Sequence, residues 1–379
     1  MDLDVAQRTA AGTSIARRLS TLDRFLPLWI GAAMAAGLGL GRAVPTLNRH
    51  LDAVAIHGTS LPIAIGLLVM MYPVLAKVRY GELGHITADR RMIATSLLLN
   101  WVVGPAVMFG FAWALLPHQP AYRTGVILVG LARCIAMVLI WTDLAGGDRE
   151  LAAVLVALNA VFQVVAYAAL GYFYLHLLPA WLGLPTAALH VSMAQIAGTV
   201  GVFLGVPLAA GFLTRAWGER ARGRRWYEER FLPKIGPIAV YGLLFTVVIL
   251  FALQGQRITS QPADVARIAM PLLAYFAVMW AVGFVLGRYL GLGYHRTAAL
   301  AFSAASNDFE LAIAVSIGVF GVTSGQALAG VVGPLIEVPV LLALVYVALW
   351  TQRFFAPTRS FVRPAEASRS PDHQRFPHR

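Results

Sequence analysis

Charge is scarce in this chain. Only 13% of its 379 residues are Asp, Glu, Lys or Arg, against about 25% in soluble domains. Apolar residues make up 59%, and the mean hydropathy is +0.70. That balance excludes an ordinary soluble enzyme, because a water-soluble core cannot absorb so much apolar surface whereas a bilayer can. Cysteine is scarcer still. One cysteine, Cys134, excludes an intramolecular disulfide and any cysteine-rich metal site. The nine histidines fall in no HExxH pattern, and no CxxC is present. No cofactor is implied.

What is present is a succession of apolar runs of about 20 residues, the length that crosses a bilayer. Ten are read, over 25–44, 59–78, 92–116, 125–144, 151–175, 187–213, 235–253, 265–289, 296–320 and 325–350. The first 24 residues are polar, with Arg17, Arg18 and Arg24 ahead of the first run. No small-residue cleavage site follows, so this run is expected to be a retained span and not a signal peptide. Residues 351–379 form a tail rich in Pro, Ser, Arg and His, expected to be disordered. Ten spans leave no room for a large soluble domain.

The basic residues test the count. With the N-terminus cytoplasmic, 24 of the 30 Lys and Arg fall inside and 5 outside, with Arg133 left within a span. A miscounted span would scramble that alternation, so the split supports ten spans with both termini cytoplasmic. It also accounts for the formal net charge of +12 without nucleic acid. The basic cluster 215–234 is read as an orientation signal lying near anionic lipid headgroups. Ten spans divide into halves of five, residues 25–176 and 187–350, with opposite orientation. This is the inverted-repeat plan of many secondary transporters.

Polar residues at membrane depth are functional candidates by default. Arg133 and Cys134 lie in the middle of span four, where Gly125 and Gly130 would let the helix unwind. The bland reading of Cys134 is a small buried hydrophobe. Span nine carries Ser306-Asn307-Asp308-Phe309-Glu310 at the corresponding depth, although no Gly or Pro explains a break there. Two polar interruptions in corresponding spans point to a central site. The alternative is that Asp308 and Glu310 only pair with Arg133 as structural glue. In span ten Glu337 stands between Pro334 and Pro339. Prolines strip the carbonyls of Gly330 and Leu335 of their helical partners, and such carbonyls must face protein or a wet cavity. Glu337 is therefore a candidate proton carrier, or else a carboxyl satisfied at a kink. Asn100 precedes Gly104-Pro105 in span three. Asn159 and Gln163, four apart on span five, are read as interhelical hydrogen bonding. Met70 and Met71 are read as packing.

At these residues the chain resembles the arsenical-resistance permeases, the arsenite efflux branch of the bile acid/arsenite/riboflavin transporter superfamily. The resemblance runs from about Phe25 to Trp350. It is carried by Met70-Met-Tyr-Pro-Val-Leu-Ala-Lys-Val-Arg79-Tyr, Leu99-Asn-Trp-Val-Val-Gly-Pro105, Gly130-Leu-Ala-Arg133-Cys134-Ile-Ala-Met-Val, Gly147-Asp-Arg-Glu, Ser306-Asn-Asp-Phe-Glu-Leu-Ala and Gly333-Pro-Leu-Ile-Glu337-Val-Pro. Thr142 and Asp308 each stand where Asn is expected. The resemblance implies an all-α membrane protein of ten helices in two inverted five-helix repeats, with crossed discontinuous helices in spans four and nine. It implies export of trivalent arsenic, arsenite and possibly antimonite, in exchange for protons across the cell (inner) membrane. The functional cysteine maps onto Cys134 as the arsenic ligand and the functional glutamate onto Glu337 as the proton-coupling group. Arg133, Asn307, Glu310 and Asn100 are the further substrate-site candidates, and Asp308 is a second proton-coupling candidate. Trivalent arsenic is thiophilic, so a soft sulfur suits it, and a single thiol binds weakly enough to release it.

Two other readings compete. A sodium-coupled symporter of organic anions of the bile acid type would use the same fold without needing a thiol. An intramembrane enzyme with Cys134 as nucleophile would need a base within reach, and His118 and His190 sit near span ends.

Overall fold

The computed structural model describes residues 25–44, 55–56, 59–78, 90–185 and 192–355. The N-terminal segment 1–24, the boundary of the second half at 187 and most of the tail lie outside the described residues. Apart from a two-residue antiparallel ladder, Ala55–Ile56 with Thr59–Ser60, the regular structure is helical. The helices in chain order are α1 (Leu26–Ala43), α2 (Leu61–Ala76), α3 (Arg90–Leu115), α4 (Pro120–Leu131), α5 (Val138–Leu144), α6 (Arg149–Trp181), α7 (Met193–Arg222), α8 (Leu232–Ser260), α9 (Pro262–Tyr289), α10 (Gly293–Ala305), α11 (Phe309–Phe320) and α12 (Gly325–Thr351). Six continuous helical runs, those containing α3, α6, α7, α8, α9 and α12, are long and apolar enough to cross a membrane. Three shorter apolar helices lie within α1, α2 and α11.

Differences from the sequence reading have physical causes. The run 187–213 does not end at its last apolar residue. α7 continues through Arg215 and Arg220 to Arg222 and stops only at Gly223, whose φ of +83° a side chain would resist. Arg215 holds the extension by bonding Glu219, Glu228 and the Lys77 carbonyl. The proline-flanked run 325–350 is one helix, as read. α12 passes through Pro334 and Pro339 without interruption.

Prolines act visibly elsewhere. Among the described residues four π turns occur, Leu99–Val103, Phe173–Leu177, Gly201–Gly205 and Tyr227–Phe231. Each is followed two residues later by a proline: Pro105, Pro179, Pro207 and Pro233. A proline inside a helix removes one amide donor and drives its ring against the carbonyl four residues back. Widening the preceding turn by one residue relieves that clash, and the amide ahead of each proline bonds five residues back, as Gly104 does to Leu99.

Packing forms two sets of helices. α1 and α2 pack on α8, and α2 also on α7; α4, α9, α10, α11 and α12 pack on one another with α3 and α6. The first set relies on close backbone approach. A Cβ on Gly41 would lie 2.2 Å from the Ala252 carbonyl oxygen, and one on Gly37 2.6 Å from that of Val248. This is the small-residue spacing that brings membrane helices together. In the second set, Gly125 meets Gln326 and Gly283 meets Ala301 in the same way.

Basic residues sort to two ends. Arg215 bonds the Lys77 carbonyl, Arg149 pairs with Asp143, Tyr294 bonds the Ala145 carbonyl and Arg288 that of Phe354. At the other end Asp264 accepts from Tyr122 and pairs with Arg267, while Arg257 bonds the Thr323 carbonyl. The first group contains only basic residues assigned to the inside by the charge reading, and the second only residues assigned to the outside.

Candidate functional site

The run 125–144 is interrupted. α4 ends at Leu131, residues 132–137 leave helical geometry, and α5 begins at Val138. The run 296–320 is interrupted at 306–308, between α10 and α11. The two non-helical segments meet as an antiparallel pair. Arg133 is bridged to Asn307, the Cys134 amide donates to the Ser306 carbonyl at 3.4 Å, and the Asp308 amide donates to the Ala132 carbonyl at 3.1 Å. The Asn307 side chain adds bonds to the carbonyls of Val129 and Ala132, at 2.9 and 3.0 Å. Backbone groups freed by breaking two helices at this depth must be satisfied within the protein, and each break here supplies partners for the other. No glycine or proline marks the second break. Its signal is Asp308, which caps the restarted helix by accepting from the Leu311 amide at 3.0 Å.

The candidate residues take distinct places. Cys134 is buried, a free thiol with the Ala136 amide directed at its sulfur. Glu337 is 2% exposed. Its carboxyl lies beside the Asn307 backbone amide, the one amide of the second break that the strand pairing leaves over. Its Oε1 has no partner. The carboxyls of Asp308 and Glu310 lie close to one another. Glu310 is half-buried and lines a cavity of about 510 Å³. That cavity lies between α2 and α8 on one side and residues 135–143 with α6 on the other, and Lys77, Asp143 and Arg149 stand on its wall. Ile135, Ala136 and Met137 line it, so Cys134 is one residue behind its surface. Met70 and Met71 also line it, a contribution beyond the packing role read from sequence.

Two candidates sit differently from what was expected. The Arg133 guanidinium is wholly buried and bonds Tyr275 Oη at 2.6 Å, the Ala304 carbonyl at 3.5 Å and the Gly130 carbonyl. It lies against Gly104, where a Cβ would come within 2.8 Å of it. It forms no ion pair with Asp308 or Glu310 and does not line the cavity; it holds the crossing together from behind. Asn100 is buried in the π turn of α3, and its amide donates to the carbonyl and hydroxyl of Ser96 in its own helix, at 2.9 and 3.2 Å. Sequence reading did not assign Gln163 or Tyr275 to the site. Gln163 accepts from the Arg133 amide and donates to Asp308 at 3.4 Å. Among the described residues no group of three His, Cys, Asp or Glu is placed to hold a metal ion, so any thiophilic substrate would meet one thiol.

The Sodium Bile acid symporter family matches residues 64–261. The chain is 57% identical over 333 residues to the arsenical-resistance protein Acr3 of Corynebacterium glutamicum, covering 88% of this chain and 90% of that protein. It is 36% identical to an uncharacterized transporter of Synechocystis sp., covering 89% and 91%. It is 30% identical to the arsenical-resistance protein Acr3 of Alkaliphilus metalliredigens, covering 88% and 94%.

Proposed function

The chain belongs to the sodium bile acid symporter family, with the Acr3 arsenical-resistance proteins among its relatives, and on that premise we propose that it exports trivalent arsenic from the cytoplasm in exchange for protons. It is a multi-pass membrane transporter and not an enzyme. The proposed frame is ten spans in two inverted halves in the cell membrane. The end bearing Lys77, Arg149, Arg215 and Arg288 faces the cytoplasm, and both termini lie there. The cavity between α2, α8 and the crossing then opens inward, toward the substrate to be exported.

One observation carries the reading. The only cysteine of the chain sits at the crossing of two broken helices, one residue behind the cavity surface. Arsenous acid binds it by exchange: one As–O bond breaks, one As–S bond forms, and the thiol proton leaves with the hydroxyl as water. A single soft ligand holds the ion without trapping it. Antimonite, with the same chemistry, is accepted too. Glu337 is the coupling carboxyl. An exchanger must make proton and substrate occupancy mutually exclusive, and the free oxygen of this buried carboxyl is where a proton can be taken up or given away. Asn307 and Glu310 complete the substrate site.

The test is arsenite uptake into everted vesicles with an imposed proton gradient, in sodium-containing and sodium-free buffer. Cys134→Ser keeps the size and loses the soft sulfur. It should insert normally and lose most arsenite transport, and sodium should make no difference. A Ser variant as active as the unmodified chain would exclude sulfur ligation. A strict sodium requirement would favour an organic-anion symporter instead.

A further inference from the structure

The crossing contains a second, unassigned partner. The two breaks are related residue by residue. Ala132, Arg133 and Cys134 pair with Ser306, Asn307 and Asp308 in opposite directions, and the bonds on either side of the Arg133–Asn307 bridge are equivalent. The Arg133 amide, left over by that pairing, is accepted by the Gln163 side chain 30 positions later. The Asn307 amide has the Glu337 carboxyl beside it, the same 30 positions later. Gln163 and Glu337 therefore occupy corresponding places, each next to the leftover amide of one broken helix. They differ in chemistry. Gln163 has a donor to spare and gives it to Asp308. Glu337 donates only when it carries a proton, and its equivalent neighbour across the pair is Cys134.

We infer that Gln163 is a positioning residue for transport, the fixed half of a matched pair whose other half is Glu337. Its carbonyl holds Arg133, and so Cys134, in register with the opposite break. Its amide donates to the Asp308 carboxyl. An acid at 163 would lose that donor and set two acids against each other, and an amide at 308 removes the conflict. The carboxylate introduced by Gln163→Glu would still accept the Arg133 amide, but it would have to compete with Asp308 for a proton. Replacing Asp308 with Asn restores a donor and keeps an oxygen for the Leu311 cap.

The inference rests on the arsenite-export reading for its transport readout only, because Cys134 reports register directly. The full chain in membrane vesicles is treated with N-ethylmaleimide, and the alkylation rate of its single cysteine is measured beside arsenite transport. Gln163→Glu should change the alkylation rate by about tenfold and lower transport by a similar factor, the effect of losing one buried hydrogen bond. Gln163→Glu with Asp308→Asn should bring the alkylation rate back to within about threefold of the unmodified chain. If Gln163→Glu fails to insert, insertion of the double variant is the same rescue and its failure the same refutation. An alkylation rate unmoved by Gln163→Glu, or equally disturbed in the single and double variants, overturns the pairing. An unmodified chain that moves no arsenite, while the alkylation rates follow the expected order, refutes the substrate and leaves the pairing standing.

Discussion

Tyr275→Phe separates a structural arginine from a substrate-binding one. Arg133 and Tyr275 are both fully buried, and their 2.6 Å bond is the shortest route by which the phenol satisfies the guanidinium. Removing the hydroxyl leaves that nitrogen with the Ala304 carbonyl at 3.5 Å, while Nε is already without a partner. A hydrogen bond to a buried charged group contributes about 1.5–3 kcal/mol. The lost hydroxyl leaves little new volume, so about 2–3 kcal/mol is the expected cost. At about 1 °C per kcal/mol for a chain of this size, the melting temperature should fall by about 2–4 °C. The protein carries its own reporter. Cys134 is the single cysteine and is 5% exposed, so a thiol-reactive dye that fluoresces on coupling reads unfolding of detergent-solubilised protein on heating. Arsenite transport per inserted molecule should stay within about twofold, because Arg133 does not line the cavity. A melting temperature unchanged within the error of replicates would refute the placement of Arg133. Loss of transport at full thermal stability would return Arg133 to the substrate site.

Further outcomes are expected. Gly41→Ala should lower the melting temperature by an amount corresponding to about 1–3 kcal/mol of overpacking against the Ala252 carbonyl, whereas Gly39→Ala, which meets nothing within 4 Å, should be neutral or stabilising by about 0.5–1 kcal/mol; the same dye assay reads both. Glu337→Gln should insert normally, keep arsenite protection of Cys134 against alkylation and lose proton-driven export. If it retains proton-driven export while Asp308→Asn or Glu310→Gln loses it, the coupling group is on α11. Reporter fusions after Arg220 should read cytoplasmic and those after Gly183 and Gly255 external; the reverse result would invert the proposed orientation.

The polar interruptions were legible because charge in an apolar run has no cheap explanation. Arg133-Cys134, Asn307-Asp308-Glu310 and Glu337 all stand out against their spans, and they lie at or beside the two paired breaks, with Glu310 on the cavity wall. Gln163 and Tyr275 were not legible as site residues. A neutral amide or phenol in a membrane helix is an ordinary interhelical bond, and only the pairing of the two breaks shows which backbone each one serves. Arg133 shows the converse. A mid-span cation is expected to meet a ligand or an acid, yet carbonyls and a phenol satisfy this one. Helix ends followed hydropathy poorly where another force took over. α7 runs past its apolar stretch because Arg215 is bonded on three sides, and the break after Ala305 needed only an aspartate cap and a partner segment. The prolines of α12 looked disruptive, and the helix accommodates them.

The proline-linked π turns are insertions that the chain has made permanent. In a regular α-helix, side chains four apart drift round the axis by about 40° at each step. In α3 the row Ser96, Asn100, Gly104, Met108 is buried along its whole length. The wide turn at 99–103 absorbs the surplus residue that would otherwise rotate the second half of the row away. The helix thereby shows one unbroken stripe to the crossing: Gly104 under the Arg133 guanidinium, and Met108 in the space where Gly130 has no side chain. Kept in a regular α-helix, that surplus residue would turn everything beyond it by about 100°. The glycine would swing out from beneath the guanidinium, and a side chain would take its place.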